Sequence, residues 1–176
     1  MISKAYANKI LNYICGVKQN TGSLSIPNEV YLGFCVNEPN AINGSLSGKG
    51  EPTVTSYARK RVSGSNINPV LFGAAEGGII KNTEEIQFKA IRQKIGQVNY
   101  FFLSPYESAS KVPLTGTDAN LDAFLWGELI NKDDNGNIIK DGDGNPVIGV
   151  FIDKETVPVF YVGELQASID VPLIEE

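Results

Sequence analysis

The chain has 176 residues with 15 basic and 20 acidic side chains, a formal net charge of −5 and no histidine. Without imidazole, Ser-His-Asp and Cys-His catalysis and HExxH zinc chemistry are excluded. The acidic balance, with Arg59, Lys60 and Arg61 as the only basic triplet, argues against a nucleic-acid groove.

A chain of this length buries enough surface to fold as one domain without disulfides or metals. Cys15 and Cys35 lack CxxC spacing and read as two small buried thiols. No apolar run approaches the ~20 residues of a membrane span, and Lys4 and Lys9 interrupt residues 1–16, so neither an anchor nor a signal peptide is expected. Synthesis and retention in a cytosol follow. Eighteen glycines and nine prolines, dispersed among short runs of Val, Ile, Phe and Tyr, are the composition of a turn-rich β protein.

In chain order, residues 3–15 place Tyr6, Ile10, Tyr13 and Ile14 at helical spacing, with Ser3 as N-cap and Gly16 as terminator, which predicts one amphipathic N-terminal α-helix. Val30, Leu32, Phe34 and Val36 alternate with Tyr31, Gly33 and Cys35 as in a half-buried strand. Residues 37–55 are rich in Asn, Gly, Ser and Pro and read as a long surface loop. A short strand with outward basic positions is expected over 57–62, an apolar segment over 70–75, and strands over 79–88 and 97–103, with a helical turn over 90–96 between the last two. Residues 121–130 read as a strand in which Phe124, Trp126 and Glu128 share a face. Asn135-Gly136, Asp141-Gly142 and Asp143-Gly144 favour φ > 0 turns and predict a projecting hairpin over 131–147. Strands over 148–153, 157–162 and 165–171 complete the pattern, and no internal repeat is evident. The fold expected is all-β: a helix over 1–16, then a single antiparallel β-sandwich over 17–176, jelly-roll-like, of about eight strands.

The order of several segments resembles a family of small structural proteins of tailed bacteriophages, described as head decoration, head fibre or tail-fibre-like proteins. The segments are Ala7-Asn8-Lys9-Ile10-Leu11, Val30-Tyr31-Leu32-Gly33-Phe34, Glu38-Pro39, Ser56-Tyr57-Ala58-Arg59, Glu85-Ile86-Gln87-Phe88 and Gly96-Gln97-Val98-Asn99-Tyr100-Phe101-Phe102. Phe124-Leu125-Trp126-Gly127-Glu128-Leu129, the Lys154-Glu155 turn and Gly163-Glu164-Leu165-Gln166-Ala167-Ser168-Ile169 follow. The resemblance runs over nearly the whole chain but departs at 131–147, 104–122 and 40–53. It implies a virion structural protein, made in the bacterial host cytoplasm. Its expected role is capsid decoration on the major capsid lattice, with a tail, fibre or baseplate component able to bind host-surface carbohydrate as the alternative. Its expected partners are the major capsid protein or another virion protein and further copies of itself, a trimer being one option.

No chemical constellation competes with that reading. Asp133, Asp134, Asn135, Asn137, Asp141, Asp143 and Asn145 crowd oxygen ligands together, but Ile152 stands where an EF-hand needs its last Glu, so hairpin turns are preferred to calcium. Glu84 and Glu85 point to opposite sides of a strand, which does not suit a glycosidase pair. Trp126 reads as core rather than as a sugar platform. Gly73-Ala74-Ala75-Glu76-Gly77-Gly78 lacks the Lys-Ser/Thr of a phosphate cradle. No enzyme, cofactor or metal is therefore expected. The candidate partner-binding residues are Tyr6, Ile10, Tyr13 and Ile14 on the helix stripe, with Tyr57, Arg59 and Arg61 on the strand that follows the long loop.

Overall fold

The computed structural model describes residue 2 and residues 29–64, 71–74, 79–112, 122–133 and 135–168. The helix expected over 3–15, with Tyr6, Ile10, Tyr13 and Ile14, lies outside the described residues. Ile2 forms an antiparallel bridge to Leu125.

All described strand pairs are antiparallel, as expected of an all-β chain. The strands are β1 (Glu29–Cys35), β2 (Lys60–Gly64), β3 (Ile79–Lys81), β4 (Ile86–Gln87), β5 (Gly96–Val98), β6 (Tyr100–Ser104), β7 (Leu125–Glu128), β8 (Val150–Ile152), β9 (Val159–Phe160) and β10 (Gln166–Ser168). Among the described residues the only helical element is a 3-10 turn at Ala109–Lys111, so the turn expected over 90–96 is absent. The expectation was a jelly-roll-like sandwich of about eight strands, against the ten short strands described. The described strands form one four-stranded sheet, ordered β2-β1-β6-β7, and three two-stranded pairs, β3-β10, β4-β9 and β5-β8. These pairs are nested: the chain runs out through β3, β4 and β5 and returns through β8, β9 and β10.

Strand β1 is buried on both faces from Tyr31 to Cys35, not half-buried. Leu32 and Phe34 enter the main core with Ile86, Phe88, Val98 and Phe160. Cys35, on the opposite face by strand parity, joins Phe102, Trp126, Ala123 and Leu46 in a second cluster. The second face is covered because the 37–55 segment is more than a surface loop. Its Leu46 is buried, and its Gly44 C=O accepts the Ala123 N–H at 2.8 Å. Burial of Leu46 removes apolar area from water at about 25 cal/mol per Å² and offsets part of the cost of ordering the segment.

Two glycines fix the close spacing of this sheet. Gly33 lies opposite Phe102, and Gly127 lies opposite Phe101. A Cβ on Gly33 would meet Phe102 Cζ at 2.4 Å, and a Cβ on Gly127 would meet Phe101 Cζ at 2.8 Å. Each phenylalanine ring thus lies over the glycine of the neighbouring strand, as aromatic residues do where glycine leaves a sheet surface bare.

Candidate functional site

Of the candidate residues within the described part, Tyr57 and Arg59 are integrated into the body. Arg59 was expected on an outward strand face; it precedes β2 and is only 7% exposed. Its Nε and Nη2 each meet a Glu51 carboxylate oxygen at 2.7 Å, and Nη1 and Nη2 meet the two Asp122 oxygens at 2.7 and 3.0 Å. Nη1 also donates to Ser104 Oγ and to the Tyr106 carbonyl, both at 2.9 Å. The guanidinium lies over the Phe102 ring, 4.9 Å from its centroid. Burial works against the charged guanidinium, but its hydrogen bonds to Glu51 and Asp122 overcome it and raise the pKa above its ordinary value. Alternation alone placed Arg59 with Arg61. That alternation does not reach Arg59, because β2 begins at Lys60 and Arg59 lies before the strand, where Glu51 and Asp122 hold its side chain; within β2 a bulge at Val62 shifts the pairing between Arg61 and Ser63.

Tyr57 is half-buried, and its hydroxyl accepts the Phe34 N–H at 3.0 Å. Burial pushes its phenol pKa above the usual 10.0. Arg61 keeps an outward position, at 2.9 Å from Glu29 Oε1 in a half-exposed pair. Glu29 also accepts from the Tyr31 hydroxyl. Only Arg61 of the three offers a charged group at the surface.

Residues 130–148 give the molecule a different surface. The expected single hairpin is two turns of one eight-residue repeat, Lys132-Asp133-Asp134-Asn135-Gly136-Asn137-Ile138-Ile139 followed by Lys140-Asp141-Gly142-Asp143-Gly144-Asn145-Pro146-Val147. Contrary to the expectation of no internal repeat, the chain carries one of period eight, visible in the residues themselves. In each copy the Asp Oδ1 accepts two backbone N–H groups at 2.9 Å, from Asn135 and Asn137 in the first and from Asp143 and Asn145 in the second. Gly136 and Gly144 close the turns at φ +82 and +85, a region open to glycine and costly for other residues.

The repeat makes the sheet branch. Lys132 pairs with Ile138, Lys140 with Pro146 and Ile148 with Ile130. At the centre, Ile139 N donates to Asn131 O at 3.0 Å, Val147 N to Ile139 O at 2.9 Å and Asn131 N to Val147 O at 2.9 Å. Three short segments thus close a ring in which each bonds to the other two. A related junction joins this knob to the body, where Leu129 N donates to Asn99 O at 2.8 Å and Gly149 N donates to Leu129 O at 2.7 Å. Gly149 adopts φ +102, a conformation that favours glycine, and it packs against the side chains of Asn99 and Gln97. Asn99 also splits the strand expected over 97–103 into β5 and β6.

Every described side chain from Lys132 to Pro146 is exposed. Ile130, Ile138, Ile139 and Ile148 are each more than a third exposed, which the fold does not require of large apolar residues. Among the described residues no group of three His, Cys, Asp or Glu is placed to hold a metal ion. An apolar pocket of about 260 Å³ opens beside Val30, Phe72, Ile80, Leu103, Phe124 and Leu125, where Ile2 bridges to the sheet edge. Among the described residues its lining offers no nucleophile or general base beyond the hydroxyl of Ser63.

Comparison with known proteins is consistent with a scaffold of this kind. No curated protein matches the chain. A family model described as podophage GP4 fiber I protein gp80 matches residues 1–116. The match ends inside the fold, since β3, β4, β5 and β6 each pair with a strand that follows residue 116. With 116 of 176 residues matched, the chain belongs to this podophage fibre protein family, a family of phage virion structural proteins.

Proposed function

We propose that the protein is a non-enzymatic fibre component of the phage virion that uses the 130–148 knob for contact outside the particle. The family match carries this reading, because the matched family is a fibre protein and the knob lies wholly outside the matched residues. Supporting it, the knob exposes four isoleucines on a framework that the body does not need in order to close, since Leu129 and Gly149 already meet beneath it. In this reading the four-stranded sheet and the nested pairs form a small sandwich-like body. The N-terminal residues 1–16 attach it to another virion protein, and it works as a homo-oligomer. Capsid decoration, the first expectation from the sequence, has the weaker support because the family is one of fibres.

Electron microscopy of intact particles with a peptide tag inserted between Asp141 and Asn145 tests the assignment. Label on the tail or its fibres is expected. Label over the faces of the capsid overturns the fibre assignment in favour of decoration. Binding of the purified chain to host-surface polysaccharide then reads whether the knob's target is a glycan.

A further inference from the structure

We propose that Asn135 is a site of spontaneous deamidation that alters the exposed knob as the protein ages. The chain contains two Asn-Gly steps, Asn43-Gly44 and Asn135-Gly136, and the structure treats them oppositely. Deamidation requires the amide nitrogen of the following residue to reach the asparagine Cγ, and glycine, lacking Cβ, hinders that approach least. At Asn43 the side chain is engaged, its Oδ1 accepting the Ser45 N–H at 3.1 Å. Gly44 is buried and its carbonyl accepts the Ala123 N–H; a Cβ there would come within 1.8 Å of the Ala123 carbonyl oxygen. At Asn135, among the described residues, only the backbone N–H is held, by Asp133 Oδ1; the residue is exposed, and a Cβ on Gly136 would meet nothing within 4 Å. Both glycine N–H groups donate to a turn carbonyl, Gly44 to Asn40 at 2.7 Å and Gly136 to Asp133 at 2.9 Å, so the difference lies in the side chain and its surroundings. Opening an exposed turn needs far less free energy than opening one packed into the body.

In the reaction the Gly136 nitrogen bonds to Asn135 Cγ and gives up its proton, and the side-chain amide leaves as ammonia. Water then hydrolyses the cyclic imide at either carbonyl, leaving aspartate or isoaspartate. The repeat bears on the outcome. Asp143 occupies in the second copy the place of Asn135 in the first, so the turn accommodates an aspartate there. Isoaspartate instead adds a backbone methylene between Asp133 and Asn137 and displaces the two N–H groups that Asp133 holds.

The test incubates the folded full chain in mildly alkaline buffer and follows both sites by peptide mapping with mass spectrometry. Asn135 is expected to gain about one mass unit at least about tenfold faster than Asn43, and the two rates should converge in denaturant. Equal rates in the folded protein, or faster reaction at Asn43, overturn the proposal. The variant Asn135→Asp should keep the melting temperature of the parent; a clear fall overturns the claim that the turn accepts the product.

Discussion

Arg59 and Asp122 stand 63 positions apart and meet through two hydrogen bonds of 2.7 and 3.0 Å inside the protein. Glu51 closes the other side of the same guanidinium, so the segment after β1, the approach to β2 and the approach to β7 converge on one cation. Arg59→Ala leaves two carboxylates without their shared partner, a loss of about 3–5 kcal/mol. Thermal unfolding should show a Tm fall on the order of 10 °C for a domain of this size. Arg59→Lys should restore little of it, since an ammonium cannot bond both carboxylates bidentately. A melting curve unchanged by either substitution contradicts this role.

The same region makes stability sensitive to alkali. Burial pushes the Cys35 thiol up to about 12 from its ordinary 9.0, and the Tyr57 phenol also rises above its ordinary value. Both groups hold their protons more tightly when folded, so their contribution is complete below the unfolded values. It is lost as pH rises through the window from about 9 to about 12 for Cys35. Denaturant titrations at increasing pH should give falling unfolding free energies above pH 9, and Cys35 should resist thiol reagents until the protein unfolds. Rapid labelling of native protein would contradict its burial.

Much of the framework was legible in the sequence, for reasons that particular residues make clear. Trp126 shares strand parity with apolar neighbours and is 1% exposed, so period-two reasoning identified a core residue. The Asx-Gly steps marked the turns of the knob, because their chemistry is local. Arg59 was misplaced because its burial depends on Glu51 and Asp122, which no local pattern joins to it. The branching at Asn131, Ile139 and Val147 was also hidden: each segment bonds to two others, while alternation describes only the faces of one strand. Leu46 is one of few apolar residues in a polar stretch, and only its packing with Cys35, Phe102, Ala123 and Trp126 shows that the stretch is part of the core.

Glycine substitutions test the spacing of the central sheet. Gly33→Ala places a methyl 2.4 Å from Phe102 Cζ and 2.7 Å from the Tyr57 hydroxyl, and should cost about 1–3 kcal/mol by overpacking. Gly142→Ala is the control, since a Cβ there meets nothing within 4 Å and its φ is not positive. Chemical denaturation should separate the two, with the midpoint shifted for Gly33→Ala alone.

Hydrogen bonds donated by the Asn137 side-chain amide and backbone N–H hold the Asp133 carboxyl below its ordinary 3.8. A lowered folded value means that the carboxylate contributes stability above the unfolded value and loses it as pH falls through the folded one. Amide exchange at Asn135 and Asn137 should therefore accelerate as the pH drops below 3.8, beyond the change intrinsic to exchange chemistry. Asp133→Ala should show the fast exchange at every pH. Protection unaffected by the substitution would mean that the turn is held by its backbone bonds alone.

The knob should also be separable from the body. Leu129 and Gly149 are joined by a 2.7 Å hydrogen bond, β7 is anchored by its register with β6, and β8 by its register with β5. Replacing residues 130–148 by a short Asn-Gly turn removes four exposed isoleucines and leaves the registers of β6-β7 and β5-β8 untouched. The shortened protein should unfold cooperatively within a few degrees of the parent Tm, because little buried apolar area is lost. If the fibre reading is right, it should still enter particles and fail to support adsorption to host cells. Loss of folding would show that the junction at Asn99 needs the ring above it. Particles that adsorb normally without the knob would move the contact surface to the body, where Arg61 and Glu29 present the paired charges nearest its β2 edge.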